Sequence, residues 1–378
     1  MKIIYLDHAA TTPVRQEVIK EIIPYLGIEY GNASAMYSLG RKAKRAIKNA
    51  REQVAKSLNC DINEIYFTSC GSESDNLAIK GFAYANIDKG NHIITSKIEH
   101  HAVLESCKAL EREGFKVTYL NVDENGIINL EELLNSITEK TILISIMFAN
   151  NEIGTIEPIE KIGNIAKEKN IVFHTDAVQA IGNIKIDVKN LNIDMLSLSG
   201  HKFYAPKGVG ALYVKNGIKF KKLQDGGLQE NDKRAGTENV AGIVGLGKAI
   251  ELIYNEYEEY NKKIKELRDY YFSKIKKEFK DAKINGDIVN RLAGNANVSF
   301  KNIMGENLLL ELDKYGICAS AGSACSTSSP HPSHVLTAIG LNKDLIDGTL
   351  RISFGKDNNK GDVDYLIEKL KEVIKLEK

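Results

Sequence analysis

The chain has 378 residues, 43% hydrophobic and 27% charged, the balance of a soluble globular protein long enough for two domains. Its 51 basic and 50 acidic residues leave no net field to draw it to nucleic acid or to an anionic membrane. The five cysteines (Cys60, Cys70, Cys107, Cys318 and Cys325) are odd in number and include no C-x-x-C pair, so neither a disulfide framework nor a zinc ribbon is suggested and a reducing, cytoplasmic setting is expected.

The N-terminal MKIIYLDHAATTP meets Asp7 and His8 too early for a signal peptide, and no apolar run approaches the roughly 20 residues of a membrane span. The stretch from KNAREQVAKSL is helical. From about residue 60 to 215, short apolar runs then alternate with helical patterns. Strands are predicted at 64–69, 91–96, 116–120, 141–147, 170–175, 194–199 and 210–214, with helices such as HAVLESCKALEREG and EKIGNIAKEKN between them. Strand–helix alternation, with strands apolar throughout, predicts a mostly parallel sheet covered on both faces. Residues 248–279 lack both Gly and Pro and read as one long polar helix. The strand-like NVSFKN, ICASA and TLRISFG follow, and VDYLIEKLKEVIKL closes the chain as a helix. The expected architecture is α/β: a large domain over 13–255 with a mostly parallel central sheet, and a smaller α+β domain from 1–12 and 256–378.

Ligands of open α/β sheets collect at the carboxyl ends of the strands, and polar clusters follow five of the predicted strands here. They are Cys70-Gly71-Ser72-Glu73, KIEHH with His100 and His101, ANNEIG with Asn150 and Asn151, Asp176 with Gln179, and Gly200-His201-Lys202. Gly71 and Ser72 at a helix start suit a phosphate, although G-S is also an ordinary cap. Asp176 at a strand end is either an N-cap or the partner of a protonated pyridine nitrogen. A partly desolvated Lys202 would have a lowered pKa and could form a Schiff base; Lys207, in APKG, reads as an exposed turn residue. His100 is either a structural histidine or one that stacks on a planar cofactor and shuttles protons. Taken together, phosphate anchor, pyridinium partner, Schiff-base lysine and histidine describe pyridoxal 5'-phosphate.

Cys325 stands in ASAGSACSTSSPHPSHVL, almost wholly Ser, Ala, Gly and Thr, where a structural cysteine would have apolar neighbours. It reads as a displayed thiol on a loop whose composition gives it freedom to move. His331 and His334 nearby could be metal ligands, but with Pro330 and Pro332 between them and no second ligand pair at zinc-like spacing they read as a structural turn, and no metal is assigned.

The sequence resembles the cysteine desulfurases of the NifS/IscS type, within the class V aminotransferase group of fold type I. The resemblance covers nearly the whole chain. It rests on YLDHAATTP, FTSCGSESDNLAIKG, SKIEHHAVL, NNEIGTIEP, HTDAVQAIG, SLSGHKFYAPKGVGALYV, RAGTENV and SAGSACS. It implies that Lys202 carries the cofactor covalently, that His100 lies over the ring, that Asp176 pairs with the ring nitrogen, and that Gln179 bonds the phenolic oxygen. Gly71, Ser72, Ser199 and His201 would hold the phosphate, and Thr237 would reach the phosphate of the neighbouring subunit in a homodimer. Asn151 and Arg351 would hold the substrate amino acid, assisted by Asn32. The implied reaction takes sulfur from L-cysteine, releases alanine and leaves a persulfide on Cys325. The sulfur then passes to an acceptor protein such as an iron–sulfur scaffold, or toward tRNA thiolation. A selenocysteine lyase or another PLP enzyme of the same fold is the alternative, and a catalytically silent binding scaffold is a third reading.

The chain departs from the family pattern at Cys70, where a glycine is usual, so less backbone freedom is expected there. Ser72 replaces a threonine, GGLQEND replaces GGGQERG, and GNASAMY places Tyr37 at a customary histidine.

Overall fold

The computed structural model describes residues 3–321 and 332–377. In chain order its strands are β1 (Ile4–Tyr5), β2 (Ile65–Thr68), β3 (His92–Ser96), β4 (Lys116–Leu120), β5 (Thr141–Ser145), β6 (Val172–Asp176), β7 (Met195–Ser199), β8 (Gly210–Val214), β9 (Lys283–Ile284), β10 (Asn295–Ser299), β11 (Ile317–Cys318) and β12 (Thr349–Ser353). The seven strands β2 to β8 form one sheet in the order β2-β8-β7-β6-β5-β3-β4. Pairing is parallel from β4 across to β7, and β8 runs antiparallel to both of its neighbours. All seven predicted strands are therefore present, and the carboxyl ends of β2, β3, β5, β6 and β7 lie along one edge.

This sheet is apolar on both faces because both are covered. Ile94, Ile144, Leu196, Leu198, Ala211 and Tyr213 feed one core cluster, and Ile93, Leu143, Met195, Leu212 and Val214 feed another. The first cluster is closed by the helices Ser38–Leu58 and Val240–Asn255, through Ala43, Ile47, Val54, Ile243, Leu246 and Ile250.

A separate core gathers Ile4 and Leu6 with residues from Ile264 to Ile374. Its sheet has the order β12-β10-β9, antiparallel throughout. The N-terminal segment joins it, with β1 pairing parallel to β11 and Asp7 bridging to Ser353. The helix Lys360–Glu377 packs on this core through Val363, Leu366, Leu370 and Val373.

The single helix predicted over 248–279 is two, Val240–Asn255 and Tyr257–Glu278, with a break at Glu256. The reason is burial. The first helix buries Ala249, Ile250 and Ile253 near the large sheet, whereas the second buries Ile264, Leu267, Tyr271 and Ile275 in the other core. No straight rod satisfies both. Glu256 at the break pairs with the buried Arg15 at 2.7 Å, fixing where the chain changes direction.

Candidate active site

One cavity at the carboxyl edge of the large sheet is lined by Gly71, Ser72, His100, Asn151, Asp176, Gln179, Ser199, His201, Lys202 and Arg351. The clusters read from the sequence as following separate strands thus converge.

The helix that follows β2 starts at Gly71 and continues from Gly71–Asn76 through a π-helical turn, Leu77–Gly81, into Phe82–Asn86. A Cβ on Gly71 would stand 2.7 Å from Val178 Cγ2, so only glycine lets the helix start approach the loop after β6 this closely. Cys70 has φ −173° and ψ 174°, an extended backbone open to any residue. The reduced freedom of a cysteine where glycine is usual is therefore no obstacle to the conformation adopted here. Across the cavity, Ser199 Oγ is buried and has no hydrogen-bond partner.

His100 caps the helix His101–Arg112, its Nδ1 accepting from the Ala102 N–H at 3.1 Å. Burial, aided by Lys202, His101 and His334, lowers its pKa to about 4. The ring is therefore neutral with its proton on Nε2. His201 is likewise lowered to about 4, by burial and then by Lys202 and Lys207, and its Nδ1 lies 3.1 Å from Thr11 Oγ1.

Asp176, at the end of β6, accepts from the Val178 N–H at 2.9 Å. Burial raises its pKa to about 6, against the pull of that hydrogen bond and of Lys202. Such a carboxylate is short of positive charge. Lys202 Nζ donates to the Ala9 carbonyl at 2.6 Å and the Ala10 carbonyl at 2.9 Å, and Gln179 Nε2 donates to the same Ala9 oxygen at 3.0 Å. The segment after β1 thus serves the site through its main chain, which no side-chain pattern announces.

Arg351, central in β12, is 1% exposed. Its Nη2 donates to Asp7 Oδ1 at 2.7 Å and its Nη1 to the Asn151 carbonyl at 3.1 Å, while Nε is buried without an acceptor. It is the one strand residue of the small sheet that enters this cavity.

Two candidates stand apart. Asn32 is exposed, its Oδ1 accepting from the Ser34 N–H, and Thr237 is exposed between Gly236 and the helix-capping Asn239; neither lines the cavity. Cys325 and His331 lie outside the described residues. His334 donates from Nε2 to the Glu99 carbonyl at 2.9 Å, and no metal-binding cluster occurs among the described residues. The sequence reading missed Asp7, Ala9, Ala10 and Asp75. Asp75 lines the cavity from the buried face of its helix.

A family profile described as Aminotransferase class-V matches residues 4–366, and the chain belongs to that family. It is 56% identical over 376 residues to the cysteine desulfurase IscS of Clostridium botulinum, covering 99% of this chain and 95% of that one. It is 56% identical over 373 residues to the cysteine desulfurase IscS of Methanosarcina thermophila, covering 99% and 92%. Among solved structures, a NifS-like protein superposes with TM-score 0.94 at 40% identity, covering 99% of this chain and all of the other. SspA in complex with cysteine superposes with TM-score 0.83 at 42% identity, covering 93% and 98%. The family expected from the motifs is the family found.

Enzymes of this family depend on pyridoxal 5'-phosphate, and the cavity fits that group. The orphan Ser199 hydroxyl beside the close Gly71 helix start suits a phosphate, and the charge-starved Asp176 suits a protonated ring nitrogen. Lys202 opens on the same space.

Proposed function

We propose that the chain is a cysteine desulfurase, transferring sulfur from L-cysteine to Cys325 as a persulfide and releasing L-alanine, for iron–sulfur cluster assembly or tRNA thiolation. The observation that carries this reading is the meeting of Lys202, Asp176 and the buried guanidinium of Arg351 in one cavity. When bound, pyridoxal phosphate supplies an electron sink for the bonds broken at the substrate.

The remaining work belongs to the chain. Lys202 Nζ would hold the cofactor covalently and move a proton at the substrate's α-carbon. Asp176 would keep the ring nitrogen protonated, and Gln179 would bond the phenolic oxygen. His100 would offer its Nε2 proton. Gly71, Ser72, Ser199 and His201 would hold the phosphate. Arg351 and Asn151 orient the amino acid, the guanidinium taking its carboxylate. The Cys325 thiolate attacks the substrate's sulfur, so that an S–S bond forms as the C–S bond breaks. Enzyme thiol and cysteine thus become enzyme persulfide and alanine, with no external oxidant.

The chain works as a homodimer in which Thr237 reaches the neighbouring subunit's phosphate and Asn32 assists the substrate. The exposure of both residues is compatible with those roles. It divides into a domain over 13–255 and one from 1–12 with 256–378, in keeping with the separate cores. Sulfur passes to an acceptor protein such as an iron–sulfur scaffold. No helix among the described residues is long and apolar enough to cross a membrane. The free Cys60, Cys70, Cys107 and Cys318 fit a reducing cytoplasm.

The test is mass analysis after incubation with L-cysteine. Wild type should yield alanine and one added sulfur on the Cys325 peptide. Cys325→Ala should retain the yellow cofactor and lose sulfide formation. Unimpaired sulfide release by Cys325→Ala without added thiol, or a keto acid in place of alanine, would overturn the assignment.

A further inference from the structure

Behind Asp176 lies a polar chain that the reaction described above does not use. Ser145 Oγ on β5 is 2.9 Å from His174 Nδ1, and His174 Nε2 on β6 is 3.0 Å from Ser197 Oγ on β7. Asp75 stands beside this chain, its Oδ1 3.7 Å from His174 Nε2, and Ser197 favours the ionised carboxylate, against the stronger effect of burial. All four side chains are at most 1% exposed. Asp75 Oδ1 has no hydrogen-bond partner, and Asp75 shares the cavity lining with Asp176 and Lys202.

An ionised carboxylate left with an unsatisfied buried oxygen is strongly disfavoured, as any unpaired buried ion is. The neighbouring His174 does not relieve it. His174 is itself kept neutral by burial, its pKa lowered to about 3. Asp176, Glu99 and Cys70 each work against the ionisation of Asp75. Lys202 pulls on Asp176.

We propose that Asp75 is a positioning residue held as a neutral carboxylic acid, so that the single negative charge of the buried pair rests on Asp176, facing the cofactor's ring nitrogen. The proposal rests on the cofactor reading above. The neutral acid stands beside the Ser197–His174–Ser145 chain, which spans β5, β6 and β7. Removing the acid would loosen the support of Asp176. Replacing it with a neutral isostere would leave the charge where it is.

The experiment compares wild-type, Asp75→Asn and Asp176→Asn holoenzymes by cofactor dissociation constant and by the pH midpoint of the lysine-bound cofactor's visible band. Asp75→Asn should keep the dissociation constant within about threefold and the midpoint within about 0.3 pH units, because no charge is lost. Asp176→Asn should lose on the order of a hundredfold in affinity. A midpoint displaced by about one unit or more in Asp75→Asn, or cofactor loss matching Asp176→Asn, would overturn the proposal. Carbon-13 spectra of wild-type holoenzyme labelled at aspartate carboxyls need no variant to fold. One resonance should stay in the protonated range from about pH 6 to about pH 9, and its absence would overturn the proposal equally. A wild type with no visible band would break the cofactor reading and Asp75's role with it, whereas a normal wild-type band with a displaced Asp75→Asn band breaks only the latter.

Discussion

The two principal sheets place their polar residues by opposite rules. In the seven-stranded sheet, strand interiors are mostly apolar and function sits just past the carboxyl ends, as at Gly71, His100, Asn151 and Lys202. In the β12-β10-β9 sheet the polar groups lie within the strands and alternate with apolar ones. Ala296, Val298, Leu350 and Ile352 face the second core, while Asn295, Asn297, Ser299, Thr349, Arg351 and Ser353 alternate with them. That polar face is buried, not wet. Asn295 and Asn297 donate to the Glu152 carbonyl at 3.3 and 3.1 Å, and Arg351 donates to the Asn151 carbonyl. Gly154, at φ +77°, completes the fit, because a Cβ there would lie 2.8 Å from Asn295 Cβ. One sheet builds the site and the other grips its Asn151 loop, so a polar strand face can be a seam rather than a surface.

The largest expected effect tests whether the small sheet contributes chemistry at all. Arg351→Ala strands the Asp7 carboxylate, which should cost about 2–4 kcal/mol of stability. It should also lower kcat/KM by roughly a hundredfold or more, chiefly through KM, because a carboxylate fork is lost. Unchanged KM for L-cysteine would confine the small sheet to a structural part.

A second prediction uses the large sheet's own electrostatics. Asp176 is raised to about 6 by burial, so it binds a proton more tightly folded than unfolded. A raised carboxyl favours the folded apo-protein below its unfolded value near 4, and that contribution disappears as pH rises through about 6. Apo-protein should therefore lose on the order of 2 kcal/mol across that window. Asp176→Asn should flatten the loss in thermal melts. A wild-type apo-protein gaining stability through the same window at this group would contradict the raised value.

The smallest effect is expected at the seam itself. Asn297→Ala removes the donor to the Glu152 carbonyl and an acceptor for Asn285 Nδ2. It should cost about 1–2 kcal/mol and a few degrees in Tm, with kcat/KM falling only severalfold. A loss as large as that of Arg351→Ala would show that the grip on the Asn151 loop matters as much as the guanidinium.

The large sheet was legible because both of its faces are covered, which makes its strands apolar runs with polar residues crowding after them. Lys202, His100 and Asp176 could be picked out by position alone. The seam was not legible, since alternation in NVSFKN and TLRISFG looks the same whether the polar face meets water or another part of the chain. Asp75 carried no signal, because an aspartate within SESDN on a helix reads as solvated. The break at Glu256 escaped notice because residues 248–279 contain no helix breaker, and only two cores lying in different directions impose it.

The grip of Ala9 and Ala10 on the Lys202 amine has a corollary for engineering. Both contacts are made by peptide oxygens, so no side-chain chemistry at those positions supplies them. Spacing is what matters. Deleting a single residue between β1 and Ala9 would rotate the carbonyls away from the lysine and disarm the catalyst while Lys202, Asp176 and Arg351 all remained in place.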